Sequence, residues 1–176
     1  MIDLTEVEIK ILRKGDVDFV NVQTFISKSE EETKMIAHNV ISSESFDFAQ
    51  GRLRESRNLA KRKPLIFIIE GELGVGKTIF VKGIGESLGI NNIISPTYVI
   101  FYEYGNFYHF DLYQIQDKEE FKYLKLKKFL KPGNILAFEW GEKAGEIYDL
   151  LKKKGKIIYV KMKYINDSKR EIEIKS

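Results

Sequence analysis

A complete phosphate-binding loop is the feature that most limits how this chain can fold. Residues 71–78 read GELGVGKT, which matches the pattern G-x-x-x-x-G-K-T at every fixed position. The apolar run at 65–69, LIFII, comes directly before the loop and has the composition of a strand buried on both faces. From Lys77 the apolar residues recur at helical spacing, and Gly89 follows as a stop signal. We therefore predict a strand, a P-loop and a helix in succession.

The residue types in the loop are those that bind a polyphosphate. Glycines allow backbone conformations that turn successive N–H groups toward an anion, and the following helix adds the positive end of its dipole. The Lys77 ammonium is expected to reach the β- and γ-phosphates, and the Thr78 hydroxyl to ligate Mg²⁺. A glycine-rich turn capped by Thr78 is the alternative, and both flanking patterns argue against it. The predicted nucleotide contacts are Gly71, Glu72, Leu73, Gly74, Val75, Gly76, Lys77 and Thr78.

The composition favours a single α/β domain and excludes several classes of protein. The chain has 176 residues, of which 43% are hydrophobic and 31% charged, and its apolar runs are too short to span a bilayer. It contains no cysteine, so neither a disulfide framework nor a thiolate metal site is expected. The first residues lack the basic-then-apolar order of a signal peptide. We expect one P-loop domain over residues 1–176, in the cytoplasm and away from membranes.

A basic run precedes the P-loop strand, although the net charge of +3 is too small to indicate nucleic-acid binding by itself. Only Glu55 opposes its positive charges, which are Arg52, Arg54, Arg57, Lys61, Arg62 and Lys63. One interpretation is the solvated face of a helix or loop. The other is a contact surface for tRNA or another RNA, or for an acidic protein, and the sequence leaves both open.

The residues before the P-loop strand predict a short extension and one helix. Residues 1–26 alternate apolar and polar around a turn at 13–16, which favours an N-terminal β-hairpin. Ser29 and Glu32 form a capping box ahead of a helix at 29–41. The stretch from there to Lys63 has no clean period, and we predict a loop with a short helix.

Beyond the P-loop helix, strand and helix patterns alternate. The predicted elements are a hairpin of 98–104 and 107–113 around Gly105-Asn106, a helix at 117–130, a buried strand at 135–138, a helix at 142–153, and a terminal hairpin of 156–164 and 170–174. The predicted fold class is α/β, a three-layer P-loop NTPase-like fold with a mostly parallel central sheet and antiparallel hairpin additions.

Two carboxylates end predicted strands. Asp111 follows the run at 107–110, and Glu139 follows the run at 135–138. Ligands of open α/β sheets lie at the carboxyl ends of the strands, so both carboxylates are candidates for catalysis and for holding Mg²⁺. Either one can instead be a helix N-cap.

Two further candidates accompany the carboxylates. Ser95-Pro96-Thr97 comes before a strand, and its hydroxyls are candidates for sensing a γ-phosphate or its metal. A plain Ser-Pro turn is the alternative. Trp140, the only tryptophan, follows Glu139 directly and is either a site residue or part of the core.

The order of four motifs resembles one protein family. GELGVGKT at 71–78, SPTY at 95–98, YHFDLY at 108–113 and EW at 139–140 are together similar to TsaE, the bacterial P-loop ATPase family associated with threonylcarbamoyladenosine modification of tRNA. The resemblance covers about residues 25–175 and includes SEEET at 29–33. The P-loop alone is not specific, whereas the later motifs in combination are.

This resemblance implies a function and a set of roles. It implies binding of ATP and Mg²⁺, slow hydrolysis, and a requirement for the modification enzyme's other subunits, TsaB and TsaD. By position, Lys77 and Thr78 would hold phosphate and metal, with Glu139 on the metal side. The remaining matches to family positions regarded as functional are Asp111, Trp140 and the switch-like Thr97.

The placement of the arginines suggests that hydrolysis needs help. None lies between the P-loop and Trp140, because the six arginines are Arg13, Arg52, Arg54, Arg57, Arg62 and Arg170. An arginine finger contributes about 10³ to 10⁵ in the rate of phosphoryl transfer. We therefore expect slow hydrolysis by the isolated chain, with the missing charge supplied by a partner or by the basic run.

Two other functions stay open at this point. A P-loop small-molecule or nucleoside kinase has this size, but such kinases close an arginine-bearing lid over the acceptor, and the core of this sequence has no arginine. A non-catalytic, ATP-regulated RNA- or protein-binding module would use the basic run. Steep salt dependence of tRNA binding by the lone chain would favour that module.

Overall fold

The described strands form one seven-stranded sheet. A computed structural model describes residues 21–44, 63–96, 99–115 and 120–176. The described strands are β1 (Val22–Ser27), β2 (Leu65–Gly71), β3 (Phe101–Tyr104), β4 (Phe107–Asp111), β5 (Ile135–Glu139), β6 (Lys156–Asn166) and β7 (Lys169–Lys175). The described helices are α1 (Glu30–Glu44), α2 (Lys77–Ser87), α3 (Glu120–Tyr123) and α4 (Gly145–Lys154), with short 3₁₀ helices at Leu126–Lys128 and Gly141–Ala144.

The sheet has a parallel centre and antiparallel edges. The strand order is β1-β7-β6-β2-β5-β4-β3. The four strands β6, β2, β5 and β4 are parallel to their neighbours within that group. The hairpin of β3 and β4 ends one side of the sheet, and β7 and β1 add antiparallel strands on the other. The predicted α/β fold with a mostly parallel central sheet and hairpin additions is confirmed.

Two apolar layers cover the two faces of the sheet. The first packs alternate residues of the strands, such as Phe67 and Ile135, against α1 and α2. The second packs the intervening residues, such as Ile68 and Phe138, against α3, α4 and the segment between α3 and β5. Because side chains alternate along a strand, each central strand is apolar on both faces and is buried as a whole.

The two helices of the first layer lie unusually close together. A Cβ on Gly83 of α2 would fall 2.7 Å from the Lys34 backbone of α1, so only glycine permits this approach. Lys34 and Glu86 form an ion pair of 2.7 Å across the same contact. The predicted capping box is present as well: the Glu32 N–H donates to Ser29 Oγ, and the Glu32 carboxylate accepts from the Lys28 N–H.

The predicted helix at 117–130 is wrong in its extent. The structure has a single helical turn at Glu120–Tyr123, then Lys125 with a φ of 45°, then a 3₁₀ turn. The reason lies in the spacing of the apolar residues: Leu124 and Leu126 are both buried, and two positions apart they cannot share one helix face. The predicted helix at 142–153 also begins later, at Gly145, because the chain first makes a 3₁₀ turn.

Several predicted features fall partly or wholly outside the described residues. These are the first strand of the N-terminal hairpin, the basic run up to Arg62, and Thr97. The part of that hairpin which is described, β1, pairs antiparallel with β7. No helix within the described ranges is long and apolar enough to cross a bilayer.

Candidate functional site

The P-loop makes the tight turn that its glycines predict. Gly71, Gly74 and Gly76 have φ values of 145°, 77° and 111°, which side-chain-bearing residues rarely adopt. At Gly71 the approach of the neighbouring strand adds a second reason, because a Cβ there would lie 2.5 Å from the carbonyl oxygen of Met162. Helix α2 begins at Lys77, and its first turn is closed by the bond from the Phe80 N–H to the Gly76 carbonyl. The loop therefore delivers a helix N-terminus to the carboxyl end of β2.

Lys77 lies inside this loop with only 5% of its surface exposed. Its Nζ donates to the carbonyls of Gly71 at 2.7 Å and Glu72 at 2.8 Å, and it lies 3.7 Å from the centroid of the Trp140 ring. Burial lowers the pKa of Lys77 from its ordinary value, and the carboxylates of Glu139, Glu142 and Asp111 oppose that shift. The loop thus surrounds the positive charge of the Lys77 ammonium, at the position where phosphate oxygens would bind.

A buried chain of hydrogen bonds joins α2 to the two carboxyl-ended strands. The Thr78 hydroxyl donates to Glu139 Oε2 at 3.0 Å, and Glu139 Oε1 lies 2.7 Å from His109 Nε2. His109 has no exposed surface, and Glu139 has 3%. Of the predicted site residues, this network brings Thr78 and Glu139 into direct contact.

The register of the sheet explains why these groups meet. Glu139 lies opposite Ile69 of β2 and Asp111 of β4, so the carboxyl ends of three parallel strands coincide. Along β4, His109 alternates with the residues of the second layer and therefore faces α2, as Glu139 does on β5. The carboxylates that end β4 and β5 and the loop that follows β2 therefore lie together at the carboxyl ends of the parallel strands.

His109 is a site residue that the sequence interpretation missed. A carboxylate only accepts hydrogen bonds, so His109 donates through Nε2 to Glu139. Nδ1 has no hydrogen-bond partner among the described residues. The signal was present in the sequence, as the one polar residue within the buried run 107–110.

Asp111 lies at the same edge but makes different contacts. Its Oδ1 accepts from the Tyr113 N–H at 2.9 Å, which turns the chain at the end of β4. Burial raises the pKa of Asp111, and the neighbouring Glu139 carboxylate raises it further, whereas the Tyr113 N–H, His109 and Lys77 lower it. Asp111 therefore stabilises a turn beside the site and is not a helix N-cap, because no helix begins within residues 112–115.

The Trp140 ring lies over the Lys77 ammonium. The Trp140 φ of 59° ends β5 with a sharp change of direction, and the ring packs against the second layer. The ring is tilted by 42° to that of Tyr113, with centroids 4.8 Å apart. Lys143 donates to the carbonyls of Tyr113 and Ile115, which fixes the segment that carries Tyr113. The Trp140 ring therefore contacts both the core and the P-loop lysine.

The donor set fits a magnesium ion. Mg²⁺ prefers oxygen ligands and is usually held by one or two carboxylates together with substrate phosphates and water. The Thr78 hydroxyl and the Glu139 carboxylate supply such oxygens 3.0 Å apart at the start of α2. Glu139 is therefore better placed for the metal than Asp111, whose Oδ1 accepts from the Tyr113 N–H.

Known proteins match this chain over most of its length. The family described as "Threonylcarbamoyl adenosine biosynthesis protein TsaE" matches residues 27–172, which include every element from the end of β1 to β7. The chain belongs to the TsaE family. The resemblance carried by the four motifs is confirmed, and TsaE proteins are involved in the biosynthesis of threonylcarbamoyladenosine in tRNA.

Individual relatives agree with that assignment. The TsaE protein of Rickettsia typhi is 37% identical over 134 residues, which cover 69% of this chain and 89% of that protein. The TsaE proteins of Haemophilus influenzae and Borreliella burgdorferi are 34% and 42% identical, and the matches cover 48% and 43% of this chain. Those two matches span 57% and 58% of the relatives' own lengths.

A solved structure shares the fold. The crystal structure of Bacillus subtilis YdiB superposes with a TM-score of 0.57 at 24% sequence identity, covering 89% of this chain and 86% of that one. The similarity supports the P-loop fold class.

Proposed function

We propose that this chain is a slowly hydrolysing ATPase that serves the threonylcarbamoyladenosine modification of tRNA together with the subunits TsaB and TsaD. The observation that carries the ATPase part is the contact between the Thr78 hydroxyl and the Glu139 carboxylate beside the buried Lys77. It supports the proposal because a nucleoside triphosphatase needs a phosphate cradle, a cation and a metal-side carboxylate at one point.

Each group has a defined task in this proposal. The loop N–H groups and the Lys77 ammonium bind and orient the polyphosphate, and Lys77 exchanges its carbonyl partners for phosphate oxygens. Thr78 and Glu139 would hold Mg²⁺, which when bound neutralises charge on the β- and γ-phosphates. His109 holds the Glu139 carboxylate in its orientation through the 2.7 Å contact.

The first test is nucleotide binding by the Lys77→Ala variant. We expect tight ATP binding to be lost, because the only ammonium inside the loop is removed. Isothermal titration calorimetry with Mg²⁺ and ATP measures this. The matched control is Lys82→Ala, which removes a lysine from the same helix outside the loop and should bind like the wild type. Undiminished affinity in Lys77→Ala would refute the P-loop assignment.

A second experiment measures turnover and its dependence on the partner subunits. We expect the lone chain to release inorganic phosphate slowly in single turnover and to accelerate when TsaB and TsaD are added. The basic run up to Arg62, a candidate for contacting tRNA, is the alternative source of the missing positive charge. Fast hydrolysis by the lone wild-type chain contradicts partner dependence, and transfer of the phosphate to a small acceptor indicates a kinase.

A further inference from the structure

Exposed lysines are concentrated at the edge of the sheet opposite the P-loop. We call this surface the amino edge, because the parallel strands β2, β5 and β6 begin there. It consists of three turns, which are residues 63–64 before β2, 131–134 before β5, and 152–156 between α4 and β6. The exposed lysines that end no described ion pair are Lys63, Lys131, Lys152, Lys153 and Lys154. The first of these also ends the basic run of the sequence.

Backbone hydrogen bonds join the three turns into one surface. The Leu65 N–H donates to the Asn134 carbonyl at 3.0 Å, and the Lys156 N–H donates to the Pro64 carbonyl at 2.8 Å. A Cβ on Gly155 would fall 2.9 Å from the same Pro64 oxygen, so the turn after α4 needs glycine to lie this close. Lysines from three distant parts of the chain therefore share one edge of the sheet.

Little negative charge opposes these lysines. Glu44, at the end of α1, is paired with Lys156, and Asp149 lies about one turn before Lys153 on α4. Between residues 121 and 138 the sequence has five lysines and no acidic residue. The amino edge is therefore strongly positive, although the whole chain has a net charge of only +3.

The dipole of α4 accounts for only part of this charge. Lysines in the last turn of a helix stabilise its negative end, and Lys152, Lys153 and Lys154 lie in the last turn of α4. Lys63 and Lys131 lie instead in the turns that enter β2 and β5. The positive charge of the amino edge thus exceeds what the end of α4 requires.

Strand β2 separates the amino edge from the nucleotide site. It begins at Leu65 beside the lysines and ends at Gly71 in the P-loop, and its seven residues extend about 20 Å. That distance is more than twice the Debye length of about 8 Å at physiological ionic strength. A partner bound at the amino edge therefore leaves the P-loop accessible.

We propose that the amino edge binds the phosphate backbone of the tRNA on which the modification enzyme acts. Ammonium groups from three turns can neutralise several phosphates, and such contacts supply affinity without reading base sequence. Lysine suits this task because it places a point charge on a long, flexible stem. The proposal deepens the proposed function and rests on it for the identity of the RNA.

The test measures binding of a fluorescein-labelled tRNA transcript to the full-length chain by fluorescence anisotropy over a range of salt concentrations. The amino-edge variant changes one lysine in each turn, Lys63→Gln, Lys131→Gln and Lys153→Gln together. We expect its tRNA affinity at about 0.1 M salt to fall at least about tenfold. The slope of log affinity against log salt should become shallower by about 2 to 3, because each lost phosphate contact reduces it by about 0.7 to 0.9.

A charge-matched control changes three exposed lysines at the opposite edge of the sheet. Lys28 follows the end of β1, and Lys163 and Lys169 lie near the tip of the β6–β7 hairpin. The triple variant Lys28→Gln, Lys163→Gln and Lys169→Gln removes the same net charge and should keep tRNA affinity within about threefold, since distant charges are screened. Equal losses in the two triple variants would overturn the proposal, because net charge alone would then set the affinity.

ATP binding, measured by calorimetry on the same proteins, separates this proposal from the proposed function. The amino-edge variant should bind ATP within about twofold of the wild type, which also shows that it is folded. A wild-type chain that binds ATP but not tRNA overturns the amino edge and keeps the ATPase. A chain that binds tRNA through the amino edge but does not bind ATP overturns the ATPase and keeps the edge.

Two further outcomes identify a different partner or a different class of protein. Unchanged tRNA affinity in the amino-edge variant, together with lost acceleration by TsaB and TsaD, assigns the edge to a protein contact and overturns the RNA proposal. Salt-dependent tRNA binding is also expected of a non-catalytic module. Release of phosphate in the turnover experiment distinguishes an ATPase that contacts RNA from such a module.

Discussion

The two sides of the P-loop differ in burial and in the side chains that line them. On the side of β4 and β5, His109, Glu139 and Thr78 form a buried, hydrogen-bonded chain. On the side of β6 and β7, Tyr164 and Arg170 form a partly exposed pair that meets the loop through its backbone carbonyls. The first side comes from the parallel centre of the sheet, and the second from an antiparallel hairpin added to it.

This difference indicates that the two sides of the P-loop have different roles. Electrostatic interactions strengthen where water is excluded, so the buried side suits the metal and the reacting phosphate. A half-exposed aromatic ring contributes contact area and little electrostatic field, so it suits support of the loop backbone that it contacts. Substitutions on the two sides should therefore change different measured quantities.

The largest expected effect is on stability, from His109→Ala on the buried side. The change removes a fully buried ring and leaves the Glu139 carboxylate without its 2.7 Å partner. Breaking a buried pair and opening a cavity should lower the free energy of unfolding by about 3 kcal/mol. Urea denaturation followed by circular dichroism measures this.

The other histidine of the chain supplies the control for that experiment. His38 is exposed on α1, where its Nδ1 meets Ser87 Oγ. His38→Ala should change the unfolding free energy by less than about 0.5 kcal/mol. Equal costs for the two histidines would show that the buried chain on the β4 and β5 side contributes no special stability.

The next effect is a split between turnover and affinity. Glu139→Gln is isosteric and keeps an acceptor for Thr78, but it removes the negative charge offered to Mg²⁺. We expect kcat to fall at least about tenfold with ATP affinity largely retained. Tyr164→Ala removes a ring that contacts the loop at the Leu73 carbonyl, so it should weaken ATP affinity and keep kcat at saturating ATP. Glu31→Gln, which changes an exposed carboxylate on α1, is the control. If both variants change the same parameter, the two sides do not divide the work.

The sequence predicted the buried side better than the hairpin side, for a physical reason. Glu139 and Asp111 were found because each ends an apolar run, and runs are local patterns. Arg170 and Tyr164 reach the loop only through the pairing of β6 with β2 and β7, across about ninety residues of chain. No local sequence pattern determines the register between strands that lie far apart in the chain. The order of the arginines along the chain therefore gives no sign that Arg170 contacts the P-loop.

Helix lengths show the same limit. The capping box fixed the start of α1 correctly because Ser29 and Glu32 act within one turn. The segment after α3 was misjudged because tertiary packing buries both Leu124 and Leu126, which forces Lys125 into a left-handed conformation. Local signals set helix starts, whereas the core decides where an apolar segment stops being a helix.

The smallest expected effect concerns Asp111, which lies at the edge of the buried side. Burial raises the pKa of Asp111 above its value in the unfolded chain, so ionisation costs the folded state free energy. That cost is absent below the unfolded pKa and appears as the pH rises through the folded one. Asp111→Asn retains the acceptor for the Tyr113 N–H and removes the charge. It should therefore raise the Tm at pH 7, and by a small amount because the carboxylate is only partly buried.

The pH dependence of this difference decides its origin. In buffer without Mg²⁺ or nucleotide, the Tm difference between Asp111→Asn and the wild type should shrink as the pH falls from 7 through the folded pKa of Asp111, and should vanish below the unfolded pKa. A gain that is constant over this range would reflect packing and not charge. A loss of stability at pH 7 would mean that Lys77 and His109 stabilise the ionised carboxylate more than burial opposes it, which would extend the electrostatic character of the β4 and β5 side to its exposed edge.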